Sequence, residues 1–544
     1  MRRPVLRYLP ALLLAALLIT ACQPNGSYII LVTATPEASG GESAPVAPSA
    51  PLLIPGSGQG GGATTDNPTG EMAQPFVELQ PAPTPTFIPT PEPTRIGVPS
   101  PQEDQTYVVQ SGDTLAAIAA RFSIGVDTIV AANNLPNANI LEVGQVLIIP
   151  LSIQVTGPGF KIIPDSELVY GPGVRGFDVD QALQIVPNSY LANYSEELDG
   201  VMWSGAEIVE RVAIEQSINP RLLLALLEYE SGWLTQSSVS DEDALYPMGY
   251  LDQPARIYGL YRQLDWAGKM LQAGYYGWRL RGLNAILMAD GLRVGLSPTI
   301  NAGTAGVQYL LAQTRTYEEW LAAVSHTGFF KTFGGLFGDP FLYAVELLIP
   351  PDLTQPELSF PWAAGEAWYY TGGPHGGWGA GSAWAALDFV SRQETEGCDI
   401  DPAWVRAMAD GVIAYSGYGL VILDLDGDGD PGTGWTIFYL HVASEERAVE
   451  EGQRVERGDP IGHPSCEGGV SQATHVHVAR RYNGEWISAD CTGCLATVPH
   501  PQFNLEGWLA YTFYREYDGS LERGDDYREA CACRADFNTL VGEE

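Results

Sequence analysis

The sequence predicts a multidomain chain: a small βααβ module, an all-α middle domain and a C-terminal domain of mainly antiparallel β-structure. Three observations carry the prediction. At 544 residues and 58.6 kDa the chain is too long for one hydrophobic core. Its apolar residues recur at helical spacing through residues 160–355 and in short alternating runs with Gly turns beyond residue 360. A Pro- and Gly-rich stretch separates all of this from an apolar N-terminus.

Composition removes other classes. Lys and Arg total 28 against 65 Asp and Glu, a formal charge of −37, which repels phosphate backbones, so no nucleic-acid partner is expected. With 45% hydrophobic residues, wholesale disorder is excluded.

Residues 1–22, MRRPVLRYLPALLLAALLITAC, join three Arg to an apolar run from Leu9 to Ile19 and then to small residues and Cys22. This is the layout of a secretory signal, with an apolar run too short for a permanent span. Ile19-Thr20-Ala21-Cys22 resembles the lipobox of bacterial lipoproteins. The resemblance implies that Cys22 becomes an acylated N-terminus and anchors the chain, outside the cytoplasm, to the cell membrane or outer membrane. Residues 23–104 hold 16 of the 40 Pro and no apolar periodicity, which reads as a tether. The signal carries +3 and the tether −7, leaving −33 on residues 105–544.

In residues 105–150, Tyr107 to Val109 reads as a strand and Asp113 as an N-cap. Leu115, Ile118, Ala119 and Phe122 then share one helix face. Ile129 and Val130 mark a second helix, and Val146 to Ile149 a closing strand. The SGDTL and VGQVLIIP ends resemble the LysM module over its whole length. The resemblance implies a peptidoglycan partner, with N-acetylglucosamine-containing glycan held by Gly112, Asp113, Thr114, Asn137 and Ile140.

Within residues 160–355 the clearest segment is NPRLLLALLEYESGWLT. Asn219 reads as the cap, Pro220 as the first helical residue, and Leu223, Leu226, Leu227 and Glu230 share a face. A carboxylate at the apolar end of a buried helix has its pKa raised toward what a general acid needs. The Glu230-Ser231-Gly232-Trp233 step resembles lysozyme-like lytic transglycosylases, which implies that Glu230 is a glycosidase acid. Departures accompany it: YPMGYLDQPARIYGLY stands where the family has Gly-Leu-Met-Gln, and Glu230 is alternatively a plain buried carboxylate.

The His pattern is more informative. Of seven His, only His326 precedes residue 375. His375 stands in TGGPHGG, His441 in IFYLHVAS, and His475 and His477 in ATHVHVAR. Residues two apart on a strand share a face, so His475 and His477 can enter one site. His375 and His477 with Asp388 make a three-ligand zinc set with a fourth position left for water.

From about 365 to 490 the order of His375, Asp388, ADGVIAYSG, FYLHV, VEEGQRVERGDPIG and HVH resembles the lysostaphin-type, LytM-like zinc peptidases. The resemblance implies one Zn²⁺ on His375, Asp388 and His477, with His441 and His475 off the metal as catalytic groups. It also implies a duplicated, hybrid-motif barrel-sandwich for residues 360–500. One departure stands out. The family separates its first His and Asp by three residues, whereas the twelve of GGWGAGSAWAAL intervene here.

Removing Cys22 leaves Cys398, Cys466, Cys491, Cys494, Cys531 and Cys533, which read as up to three disulfides stapling a 501–544 extension, or alternatively as a second zinc site. Asp424 to Asp430, DLDGDGD, matches half of an EF-hand Ca²⁺ loop, but Trp435 stands where its last Glu belongs. A polar hairpin turn is the alternative. Together these features predict a membrane-anchored, zinc-dependent peptidoglycan endopeptidase. Its alternatives are an inactive wall-binding protein that activates another hydrolase, and a bifunctional hydrolase using Glu230.

Overall fold

The structure is a computed structural model. It describes residues 104–543 apart from 111–112, 123, 125, 136, 138–139, 152, 154, 252–256, 394, 496–499 and 514. The signal, the tether, Cys22 and Gly112 lie outside the described residues.

The first module is the expected βααβ unit: β1 (Gln105–Val108), α1 (Leu115–Phe122), α2 (Val126–Asn133) and β2 (Val146–Ile149). Its strands pair antiparallel from Gln105 opposite Ile149 to Val108 opposite Val146. Leu115, Ile118, Ile129, Leu147 and Ile149 fill a small core. The helix cap is one residue later than expected. Thr114 Oγ1 accepts from Ala117 N at 3.1 Å, while Asp113 closes the preceding turn by accepting from Gln110 N and Tyr107 OH. A hydroxyl three residues before an N–H is the capping geometry, and Asp113 is one residue too early for it.

The middle region holds β3 (Val155–Thr156), α3 (Val179–Gln184), β4 (Ser195–Leu198), β5 (Val201–Ser204), α4 (Gly205–Gln216), α5 (Pro220–Ser231) and α6 (Asp241–Leu245). It continues with α7 (Leu260–Leu280), β6 (Ala285–Leu287), β7 (Arg293–Gly295), α8 (Ala302–Ala312), α9 (Tyr317–Ala323) and α10 (Phe329–Phe337). The all-α expectation is therefore corrected. A β4–β5 hairpin and a β3–β7–β6 sheet interrupt the helices, because Val201-Met202-Trp203 and Ala285-Ile286-Leu287 are too short and too β-prone to make a helical turn of their own. Asn219 caps α5 on Arg221 N with Pro220 first in the helix, as expected. The Glu-Ser-Gly-Trp step is the end of that helix: Gly232 takes φ +69 and its N–H bonds Glu228 O. A left-handed terminating residue favours Gly, which accounts for the glycine of the motif.

The C-terminal strands are β8 (Ala367–His375), β9 (Ala386–Ser391), β10 (Val405–Arg406), β11 (Gly411–Gly417), β12 (Leu420–Asp424), β13 (Trp435–Leu440), β14 (Arg454–Val455) and β15 (Pro460–Gly462). After them come β16 (Val476–Tyr482), β17 (Glu485–Trp486), β18 (Asn504–Leu505), β19 (Trp508–Thr512), β20 (Gly519–Arg523), β21 (Asp526–Glu529) and β22 (Thr539–Val541). Among the described residues, nine form one antiparallel sheet in the order β14-β11-β12-β13-β16-β9-β8-β22, with β17 on β16. β10 pairs β15, and β18–β21 make a four-stranded sheet. The large sheet's described pairings run from β14 to β22 without closing, so the expected barrel-sandwich is not among them.

The sheet is covered on both faces. Leu420, Ile422, Phe438, Leu440, Ala479 and Trp486 pack into the core of the helical middle region. Their neighbours Val421, Leu423, Ile437, Tyr439 and Val478 pack into a second core with Phe360, Trp362 and Trp368. Strict alternation between two cores explains why LVILD of β12 is buried throughout.

Candidate metal centre

The alternation fixes where the site can be. On β16, Val476 and Val478 belong to the outer core, which sends His477 to the side covered by the helices. On β9, Leu387 and Phe389 do the same and send Asp388 to the same side. His477 lies directly opposite Asp388 across the β16–β9 pair. Gly372 lies opposite Asp388 on β8, where a Cβ would come within 2.5 Å of Asp388 Oδ2; glycine leaves room for the carboxylate. β8 is irregular between Tyr370 and Gly372 and again before His375. Such bulges re-aim a side chain, here bringing His375 to the centre.

His375 Nε2 stands 3.0 Å from His477 Nδ1 and 3.3 Å from Asp388 Oδ1, and His477 Nδ1 stands 3.2 Å from the same oxygen. The outer nitrogens are committed elsewhere. His375 Nδ1 meets Gly373 O at 2.8 Å and His477 Nε2 meets Gly377 O at 3.0 Å. A carbonyl only accepts, so each outer nitrogen donates, and in the neutral imidazole each inner nitrogen then presents a lone pair. Asp388 Oδ1 is buried with no hydrogen-bond donor. Three acceptors within 3.3 Å repel unless a cation or a shared proton lies among them, so His375, Asp388 and His477 fit a metal ion. Burial raises the Asp388 pKa, but the imidazoles of His375 and His475 outweigh it and hold the carboxyl well below its usual range. Burial lowers His375, Asp388 raises it more, and the net is upward; burial pushes His477 down.

The other two imidazoles sit beside this triad, their rings 4.5 Å apart. His441 Nδ1 meets Glu467 O at 2.9 Å, and His475 Nδ1 meets Ala473 O at 2.8 Å. Their Nε2 atoms are thereby left for the centre, and that of His475 is 3.7 Å from Asp388 Oδ1. His441 has φ +65, a left-handed conformation uncommon for a side-chain-bearing residue, at the point where β13 ends. Burial first, then His475 and His477, push its pKa down to about 3. Cys398–Cys466 joins the segment after β9 to the loop that begins with Glu467.

A cavity of about 540 Å³ opens on the five residues. Its far wall is helix α7, through Tyr261, Asp265 and Lys269. The sequence reading missed this wall, and helix residues more than 100 positions before His375 carry no motif to betray it. It also missed Tyr517 of the C-terminal extension, whose ring stacks on His375 at 4.1 Å and 21°. The four carbonyls that orient the imidazoles are backbone groups without a sequence signal. The 376–387 insertion supplies one of them, Gly377 O, and ties itself to α7: Trp378 Nε1 lies 3.4 Å from Asp265 Oδ1, and Arg281 donates to Gly381 O and Ser382 O.

Residues 393–489 match the family model described as Peptidase family M23, and residues 107–150 match that of the LysM domain. The chain contains a LysM domain and a peptidase family M23 domain. The M23 match includes His441, His475 and His477, while His375 and Asp388 precede it. Residues 161–351 match the LasA N-terminal domain, which corrects the lysozyme-like reading of the middle region. The chain is 34% identical over 122 residues to N-acetylmuramoyl-L-alanine amidase XlyA of Bacillus subtilis, covering 21% of this chain and 40% of that protein. It is 50% identical over 44 residues to the secreted LysM effector ECP6 of Passalora fulva, 8% of this chain and 19% of that one. These matches span less than half of either relative. Among solved structures it resembles the deep-sea M23 metalloprotease pseudoalterin, with 24% identity, 35% of this chain and 99% of that one covered, and a TM-score of 0.27. The lysostaphin catalytic domain of Staphylococcus simulans gives 23%, 22% and 84%, with a TM-score of 0.16.

Other candidates fall outside this centre. Both Glu230 oxygens are taken by Arg315 Nη2 at 2.9 and 2.7 Å; burial raises the Glu230 pKa and Arg315 counters it. In the 424–430 turn the Asp side chains accept from the N–H groups of Asp426, Asp428, Gly429, Asp430 and Gly432. Arg175 reaches Asp428 at 3.1 Å. That is hairpin chemistry, although Asp424, Asp426 and Asp428 are close enough to share an ion. The remaining cysteines pair as Cys491–Cys494 and Cys531–Cys533, which leaves none for a second zinc site. Of the glycan candidates, Asp113, Thr114, Asn137 and Ile140 are described, and Ile140 is 65% exposed.

Proposed function

We propose that this chain is a zinc-dependent endopeptidase that hydrolyses the peptide cross-links of peptidoglycan. It is anchored to the membrane through acylated Cys22 and concentrated on its substrate by a LysM domain that holds glycan. The observation that carries the reading is the triad of inward acceptors, His375 Nε2, His477 Nδ1 and Asp388 Oδ1, with the outer imidazole nitrogens fixed on carbonyls. Two imidazoles and one carboxylate are a catalytic zinc set. Bound there, zinc supplies Lewis acidity, polarising a scissile carbonyl and acidifying water. His441, held neutral, offers its Nε2 lone pair to orient that water. His475 Nε2, beside Asp388, takes the proton and returns it to the leaving amine. The name of XlyA, an N-acetylmuramoyl-L-alanine amidase, agrees with a peptidoglycan substrate. Metal analysis of the purified full chain is expected to find one zinc, and mass analysis of digested walls to find new peptide ends. A chain that binds no zinc overturns the reading.

A further inference from the structure

The chain contains three Lys in 544 residues, Lys161, Lys269 and Lys331. One of them, Lys269, lines the same cavity as His375, His441 and His477, and among the described residues no other Lys or Arg lines it. Its surroundings hold the ammonium in place. Asp265, one turn earlier on α7, accepts from Lys269 Nζ at 2.6 Å through Oδ2. The other oxygen of Asp265 accepts from Gln216 Nε2 at 2.8 Å and lies 3.4 Å from Trp378 Nε1. The Asp265 carboxylate is thus engaged on three sides and serves to aim the lysine rather than to bind a ligand. The lysine stem runs beside the backbone of Gly379, where a Cβ would lie 3.0 Å from Lys269 Cε. An ammonium has three donors, and Asp265 occupies one. The side chain remains 28% exposed where it lines the cavity.

Resting on the proposed wall-peptide function, we infer that Lys269 is a specificity-determining residue whose ammonium binds a free carboxylate of the peptide being cut. The folded part carries −33, a field that disfavours an anionic peptide unless a cation meets it inside the cleft. The Asp265 carboxylate offsets much of the ammonium's charge, but it aims the group into the cavity and leaves N–H donors on it, and a charge-assisted hydrogen bond from one of these to a peptide carboxylate is worth about tenfold in affinity.

The test is calorimetric binding to the full chain, which needs no turnover. The probes are a synthetic stem tetrapeptide with free carboxylates and the same peptide fully amidated. Wild type is expected to prefer the carboxylate form about tenfold; Lys269→Met, which keeps the stem, is expected to bind both forms alike, and Lys269→Arg to recover part of the preference. Equal binding of the two forms by wild type overturns the inference, as does a preference that survives in Lys269→Met. If Lys269 merely tied the insertion to α7, Lys269→Met would weaken both forms by the same factor and lower the metal content, which also overturns it. Failure of the peptidase reading is seen separately, in the zinc content and wall digestion of wild type.

Discussion

His477 Nε2 donates to the carbonyl of Gly377, a 3.0 Å contact that joins the final strand of the site to the glycine-rich insertion 100 positions earlier. A carbonyl in that place fixes the tautomer and ring orientation of a metal ligand, and losing such a partner costs about 10- to 100-fold in metal affinity. Trp378, the next residue, is 4% exposed and plugs the insertion against Phe438 and α7. Trp378→Ala is therefore expected to weaken zinc binding at least tenfold with every ligand intact, as measured by competition with a chromophoric chelator. Unchanged affinity would remove the insertion from the metal's support.

The two groups of side chains should separate by readout. Asp388→Ala and His477→Ala are expected to lose zinc and cross-link hydrolysis together, since each leaves two ligands. His441→Ala and His475→Ala are expected to keep zinc and to lose about 10²- to 10⁴-fold in rate, the usual share of a positioned proton acceptor. Metal content and rate on one set of variants decide it; loss of zinc in His475→Ala would place that imidazole on the metal.

The residues at the centre were legible in the sequence because alternation suggests one side for His475 and His477, a zinc set calls for a carboxylate such as Asp388, and the order of the motifs, His441 among them, resembles the lysostaphin-type peptidases. Its walls were not. Trp486 shows why: fully buried, its backbone N–H accepted by Tyr276 OH on α7, it belongs to a core shared between helices and sheet. Periodicity within a segment reveals that a face is apolar but not which distant segment covers it. The all-α reading failed at β4–β5 for a related reason, since a four-residue hairpin strand is too short to show a period against helices on either side.

Glu230 is best treated as half of an ion pair. Its side chain is 9% exposed and that of Arg315 17% exposed, so Glu230→Gln leaves a nearly buried guanidinium without its counter-charge. A loss of about 3 kcal/mol in urea unfolding is expected, with no change in reducing sugar released from glycan strands. The opposite result, intact stability with lost sugar release, would make Glu230 a glycosidase acid.

His500 gives the chain a stability that depends on pH. Its ring is buried, Nδ1 accepts from Ser488 N at 3.0 Å, and burial first, then Arg279 and Arg480, push its pKa down to about 3. The unfolded chain protonates the same imidazole near pH 6.5. Because the folded value is depressed, the unfolded state binds more protons between the two, so this contribution is complete above about pH 6.5 and declines as the pH falls toward 3. The slope is up to about 1.4 kcal/mol per pH unit for one group. His441, depressed in the same way, adds a second contribution of the same sign when no metal is bound. In the metal-free full chain, His500→Asn keeps an acceptor for Ser488 N and removes the proton site. Urea unfolding from pH 7 to pH 4 is therefore expected to show a shallower decline for the variant than for wild type. Parallel declines would mean that His500 is not held neutral in the fold.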